Sequence, residues 1–242
     1  MQGKINLLPN NINILTKSST YIIGVLLGDG NILYDRFRIA VKDKDFILNI
    51  QKNIKKWIGY NLKIEKRKNN HFKKNSFLYH LNFNSRFIQS KIKNLIQKIK
   101  NSNNKDLLSS FLAGCYDSEG SVDKNRLRIR LSIINKNYKN LIINSLNKLQ
   151  IIYTLKKNLN FNIDFFNIRI YGYKNLILFK KYIRFSIQRK QKRLIENLKN
   201  FEKKQKYKEN KRKDTLILKE KNWCFKYNLT RNQYYRHKRK FS

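Results

Sequence analysis

The chain has 242 residues, and its 55 Lys and Arg against 15 Asp and Glu give a formal net charge of +40. Such an excess repels itself unless it meets a polyanion, so the composition points to nucleic acid, a site-reading protein or a bulk ribosomal or chromatin component. No apolar run approaches the roughly 20 residues that a bilayer span needs, Asn10, Asn11 and Asn13 break up what would be a secretory leader, and the two cysteines, Cys115 and Cys224, lack metal-ligand spacing. A reducing compartment is the expectation.

The first element is an apolar helix running into Ile22-Ile23-Gly24-Val25-Leu26-Leu27-Gly28-Asp29-Gly30, and ninety positions later Leu112-Ala113-Gly114-Cys115-Tyr116-Asp117-Ser118-Glu119-Gly120 repeats the arrangement. In both, small residues four apart (Gly24 and Gly28, Gly114 and Ser118) precede one carboxylate and then a glycine. Small residues on one helix face let two backbones approach closely. Gly30 and Gly120 are expected to end their helices in the left-handed conformation. Asp29 and Glu119 then sit at helix C-termini, where unpaired carbonyls and the negative end of the macrodipole disfavour an anion. A divalent cation reverses that sign. If the helices pack side by side, both carboxylates and the carbonyls of Gly28 and Ser118 form an oxygen-rich site of the kind magnesium accepts. One such ending is an ordinary helix cap; two with matching flanks are a constellation.

After each motif the apolar period becomes alternating, which predicts a strand. Phe37, Ile39 and Val41 alternate with Arg38, Ala40 and Lys42, and Leu127, Ile129 and Leu131 with Arg126, Arg128 and Arg130. Amphipathic helices follow, carried by Phe46, Ile50, Ile54 and Trp57, and by Leu141, Ile142, Ser145, Leu146 and Leu149. Further strands are expected around Leu62–Ile64 and Phe77–Phe83, and around Tyr153–Lys156 and Phe166–Tyr171. Closing helices are expected through Phe87, Ile88, Ile92, Leu95 and Ile99, and through Leu176, Ile177, Tyr182 and Ile183. The order is αββαββα, twice: an α+β protein of two pseudo-symmetric repeats, residues 1–108 and 109–195, with antiparallel sheets.

From about Ser186 a basic helix carries Leu194, Ile195 and Leu198, and Lys203 to Asp214 reads as linker or exposed helix. Residues 196–242 form a basic tail. Leu216 to Ser242 has the pattern of a helix-turn-helix, with Trp223, Phe225 and Tyr227 as a minimal core, Thr230 and Gln233 as a capping box, and a basic helix from Arg231 to Lys240. A disordered tail clinging to phosphate is the other reading of that charge.

The two nonapeptides resemble the paired motif of the LAGLIDADG homing endonucleases, in the form with two motifs on one chain. The resemblance covers about Tyr21 to Phe185; Leu27 stands where an acid is common and Gly28 where alanine is. It implies a monomeric endonuclease that makes a double-strand break in a long DNA site with Mg2+ or Mn2+, promoting the spread of an intron or mobile element. Asp29 and Glu119 would bind metal, and by position Lys44 and Lys136 match the lysines that family members place near each metal. Basic sheet faces fit a major groove roughly 12 Å wide, which makes Arg36, Arg38, Lys42, Arg126, Arg128, Arg130 and Arg169 the candidate DNA contacts. His71, His80 and His237 are assigned to the surface or to DNA contact. The alternative is a non-cleaving binder on the same scaffold, such as a maturase acting on intron RNA. Either acts inside the cell with the host DNA, in a prokaryotic cytoplasm or nucleoid or in an organelle, and not at a membrane.

Overall fold

The computed structural model describes residues 10–28, 31–32, 36–69, 76–84, 86–160 and 163–240. They fall into two compact units, Met1–Ile195 and Glu196–Ser242.

The first unit is the αββαββα order used twice. A 3-10 turn (Asn10–Asn13) leads to α1 (Lys17–Gly28), β1 (Asn31–Ile32), β2 (Arg36–Val41), α2 (Lys44–Ile58), β3 (Ile64–Asn69), β4 (Ser76–Asn84) and α3 (Arg86–Asn101). The second copy is α4 (Lys105–Glu119), β5 (Gly120–Val122), β6 (Arg128–Ile133), α5 (Lys136–Lys148), β7 (Tyr153–Asn160), β8 (Ile163–Tyr171) and α6 (Tyr173–Tyr182). Each copy builds a four-stranded antiparallel sheet, in the orders β1-β2-β4-β3 and β5-β6-β8-β7. The shared order is the expected internal repeat expressed as topology.

Helical periodicity decides what faces the core. Phe46, Ile50, Ile54 and Trp57 put one stripe of α2 inside, and Gly59 ends that helix at a φ of 73°, which glycine adopts without penalty. Asn104 and Asn135 cap α4 and α5, each accepting two backbone N–H groups at 2.9–3.3 Å. Leu141, Ile142 and Leu146 are buried from α5, with Leu149 just past its end, and Ile92, Leu95 and Ile99 from α3. Helix α6 buries Leu176 and also Phe179, which the sequence reading left out.

The strands alternate as expected. Ile39 pairs with Leu81, Ile129 with Ile170 and Leu131 with Ile168, all buried, while Arg38 and Arg130 point to the opposite face. Strands β1 and β5, two and three residues long, are too short to leave an alternating signature. Arg126 and Leu127 were expected on the second basic strand, but they precede β6 in a turn where Asn125 has a φ of 59° and the Leu127 carbonyl accepts from Gly172 N–H.

The second unit is formed by α7 (Gln188–Ile217) from Glu196 onward, α8 (Glu220–Tyr227) and α9 (Arg231–Lys238). Lys203 to Asp214 is helix. Trp223 is fully buried, with the rings of Tyr227, Tyr234 and His237 at 5.3, 5.3 and 5.6 Å. Its indole N–H donates to Thr215 Oγ1 at 2.8 Å, and that oxygen lies 3.0 Å from His237 Nδ1. Phe225, expected in this core, is 92% exposed. Two residues along a helix turn through roughly 200°, so burying Trp223 points Phe225 outward. His237, expected at the surface or in DNA contact, is half-buried with its ring against Trp223.

Candidate nucleic-acid cleavage site

The site begins with glycines. A Cβ on Gly24 would overlap the carbonyl oxygen of Phe111 and stand 2.9 Å from Cys115 N; a Cβ on Gly114 would overlap the carbonyl of Tyr21 and stand 2.9 Å from Val25 N. The two sets of partners are each ninety positions apart, so α1 and α4 meet across a local pseudo-dyad with backbone against backbone. Only hydrogen fits there. One turn further, a Cβ on Gly28 would overlap Ser118 Oγ and stand 2.9 Å from Glu119 Cγ. The expected convergence of the two helix ends is therefore present at Gly28, Ser118 and Glu119.

Glu119 is the last residue of α4 and is exposed. Asp29 and Gly30 lie outside the described residues. Gly28 is the last residue of α1, so Asp29 follows it directly in the chain. Gly120 is not left-handed as expected; its φ of −76° and ψ of 148° already belong to the strand. A side chain is excluded there because a Cβ would run into the carbonyl of Tyr116, the acceptor of Gly120 N–H.

Glu119, Leu27 and Gly28 line a cavity of about 490 Å³ that continues along Leu131, Ser132, Ile133 and Asn135. Because Asn135 is the N-cap of α5, the helix that opens at Lys136 starts beside the cavity that Glu119 lines. The Lys136 side chain, like that of Arg36, lies outside the described ones. Lys44 is exposed at the first residue of α2. The donor chemistry suits a hard divalent ion, with an exposed carboxylate at a helix C-terminus and a second carboxylate following the residue packed against it. Among the described residues no group of three or more His, Cys, Asp or Glu forms a ready-made metal cluster.

The sequence reading missed the strap that locks this corner. Asp117, buried in the second motif, accepts from Tyr21 Oη at 2.8 Å, from Ser186 Oγ at 2.6 Å and from Ser186 N at 2.9 Å. Burial pushes its carboxyl above the usual carboxylate range, while the Ser186 and Tyr21 hydrogen bonds and the nearby Lys190 charge pull it back. The buried ammonium of Lys190 donates to the carbonyls of Asp117 at 2.5 Å, Tyr116 at 3.2 Å and Ser118 at 3.4 Å, a cation on the carbonyl end of α4. The Ser118 carbonyl, expected as a metal ligand, lies 3.4 Å from that ammonium. Arg189 grips Asp43 with two bonds of 2.7 Å, holding the Asp43 carboxyl low, and Gln188 N–H donates to Asp45 at 2.5 Å. Ser186 to Lys190 thus binds the first repeat at α2 and the second at its motif helix. Their partners lie 69 to 165 positions away, a separation that no local pattern reveals.

The basic faces are less free than the composition suggests. Arg128 and Arg130 both clamp the buried Asp123, Arg130 Nε at 2.7 Å from its Oδ1. Arg169 stands opposite Arg130 in the register and, with Arg128, lowers the pKa of the Tyr171 hydroxyl. Arg38 lies 3.1 Å from His80 Nδ1. His80, expected at the surface or in DNA contact, is buried, and burial together with Arg38 and Arg67 lowers its pKa. Lys42 is exposed just past β2 and Arg126 is exposed in its turn; His71 lies outside the described residues. No helix among the described residues is long and apolar enough to cross a membrane.

No family model matches the chain. Among curated proteins it is 30% identical to the uncharacterized protein MJ0398 of Methanocaldococcus jannaschii over 214 residues, 76% of this chain and 72% of the relative. It is 32% identical over 136 residues to the uncharacterized protein MJ0314 of the same organism, 51% of this chain and 46% of that one. Among solved structures it superposes on I-DmoI in complex with DNA and Mn with a TM-score of 0.52 at 22% identity, covering 72% of this chain and 97% of that one. The homing endonuclease I-WcaI bound to its DNA recognition sequence gives 0.50 at 20% identity, covering 77% and 95%. The N-terminal LAGLIDADG domain of DUF199/WhiA gives 0.53 at 14% identity, covering 72% and 88%. The chain thus has the fold of the LAGLIDADG proteins and belongs to the same family as MJ0398.

Proposed function

We propose that the chain is a site-specific endonuclease that makes a metal-dependent double-strand break in a long DNA target. The observation that carries this reading is the meeting of Gly28 and Glu119 at the ends of two helices packed backbone to backbone. Nothing in helix packing alone calls for a carboxylate there, since the end of a helix is already negative. Asp29 and Glu119 would hold Mg2+ or Mn2+, which when bound supplies an activated water and neutralises charge gathering on the phosphoryl oxygens. Lys136, beginning α5 beside the cavity, and Lys44, in the matching place of the first repeat, would add point cations that orient water or phosphate. The outward faces of the two sheets would carry the DNA through Arg38, Arg130 and Arg169, with Lys42 and Arg126 at their margins. The MJ0398 relationship fits this reading without adding to it, since that protein is uncharacterized.

A non-cleaving binder of DNA or intron RNA is the second reading, favoured by one observation. Lys190 already supplies a cation to the carbonyl end of α4, so the fold does not need a metal to offset that helix end. Cleavage of a randomised duplex library decides between them, run with magnesium or EDTA and with Glu119→Gln protein alongside. One long, magnesium-dependent cut sequence, absent with the variant although the variant still binds, is the expected result. Binding without cutting under magnesium and manganese alike would give the reading to the binder.

A further inference from the structure

The second unit carries a surface that the cleavage site does not use. α8 and α9 are joined by Asn228-Leu229-Thr230, three residues that make a defined turn. Asn228 is left-handed at a φ of 49°, Leu229 N–H bonds back to the Cys224 carbonyl at 3.0 Å, and Thr230 and Gln233 close a capping box on α9. Tyr234 and His237 turn one face of α9 onto Trp223. The 3.6-residue period then fixes the opposite face as Asn232, Tyr235, Arg236 and Arg239, all exposed.

Three polar groups around this stripe have other tasks. Arg231 pairs with Glu220 at 2.8 Å, Lys226 pairs with Asp214 at 2.6 Å, and the Gln233 side chain is committed to the cap. The side chains of Asn232, Arg236 and Arg239 make no hydrogen bond or ion pair among the described residues. From Lys221 to the last residue there are seven Lys and Arg and not one acid, so the surface around the stripe favours a polyanion. The stripe itself has more specific chemistry than charge. Arg forks match the O6 and N7 of guanine, an Asn amide matches adenine, and one short helix after a three-residue turn is the shape that enters a major groove. The I-DmoI chain is 97% covered by 72% of this one, so this protein carries added polypeptide beyond that fold.

We propose that the Asn232, Tyr235, Arg236 and Arg239 stripe of α9 reads base edges in the major groove of duplex DNA, making the second unit a separate sequence-reading module. The proposal needs no cleavage by the first unit. The test selects bound sequences from a duplex pool with a long randomised window, in EDTA so that nothing is cut. Full-length protein is compared with its Asn232→Ala/Arg236→Ala/Arg239→Ala variant. These side chains face solvent, so the variant keeps its thermal unfolding midpoint.

The parent should enrich a short block of specified base pairs that the variant specifies about 5- to 150-fold less strongly for each bidentate contact removed. Arg239→Lys keeps the charge but loses the fork, so it should retain affinity while losing preference at one base pair. The same block from parent and triple variant, or no enriched sequence from either, overturns the proposal. A block that depends on the stripe, from a protein that never cuts DNA with magnesium, overturns the endonuclease reading alone.

Discussion

At Gly24 and Gly114 a single hydrogen atom decides whether two helices can meet. Each glycine faces the backbone carbonyl of the other helix, so even one methyl group forces backbone to move. Gly24→Ala and Gly114→Ala should each cost about 1–3 kcal/mol, and the pseudo-dyad predicts nearly equal losses, checked by urea unfolding of the two variants. A loss at one position only would show that the interface is not symmetric. These residues were legible because small residues four apart have one dominant use in a helix; Gly120 was misread because glycine serves both a left-handed φ and a close approach, and sequence does not separate the two. Asp117 was not assigned at all, since its partner Ser186 lies 69 positions away. With its pKa raised by burial, the stability that Asp117 contributes is full below its unfolded pKa of about 3.9 and falls as pH rises through the folded value. Asp117→Asn cannot ionise and can still accept from Ser186 N–H. Urea unfolding across a pH series should therefore show the variant gaining on the parent from about pH 4 toward neutrality. A difference independent of pH would mean that the carboxyl carries no such burden.

Among the elements, those with several turns of periodic sequence announce themselves. Helices α2 and α5 and strands β4 and β8 could be read because each repeats its apolar spacing over enough residues to exclude the other period. The two- and three-residue strands β1 and β5 offer no such repetition. The start of α7 was read as a basic helix from its apolar stripe, yet its task lies in polar side chains that cross to both repeats. Lys190 puts a buried ammonium against three carbonyls at the end of the motif helix. Lys190→Met keeps most of the stem and removes the donor, so the last turn of α4 loses charge-assisted bonds. The expected cost is about 2 kcal/mol. Lys190 is also one of the groups lowering the Asp117 pKa, so its loss should move that titration upward. Carboxyl carbon chemical shifts of Asp117 followed against pH check the second effect, and denaturant unfolding the first. An unmoved Asp117 titration would place the Lys190 charge too far away to matter.

At the scale of the whole molecule, a net charge of +40 favours a polyanionic partner without saying how many phosphates the protein would neutralise. Part of the charge is spent internally, and unevenly between the two sheets. In the first, Arg38 lies against His80 and not against an acid, while Arg67 pairs with Glu65 at the surface. In the second, Arg128 and Arg130 share the buried Asp123, so two candidate DNA contacts are held on one carboxylate. Composition could not reveal this, because Asp123 is one acid among 55 basic residues and only the β5–β6 turn brings it beneath the arginines. Asp123→Asn should keep the side-chain shape and release both guanidinium groups. Binding to a duplex of mixed sequence, measured in EDTA by fluorescence anisotropy over a range of salt, should tighten at low salt. The slope of log K against log salt should steepen by about 0.9 for each phosphate newly met, and so by about 2 if both arginines reach the backbone. An unchanged slope would mean that Arg128 and Arg130 stay folded onto the sheet when DNA is bound, leaving Arg169 and the first repeat to carry the phosphate contacts.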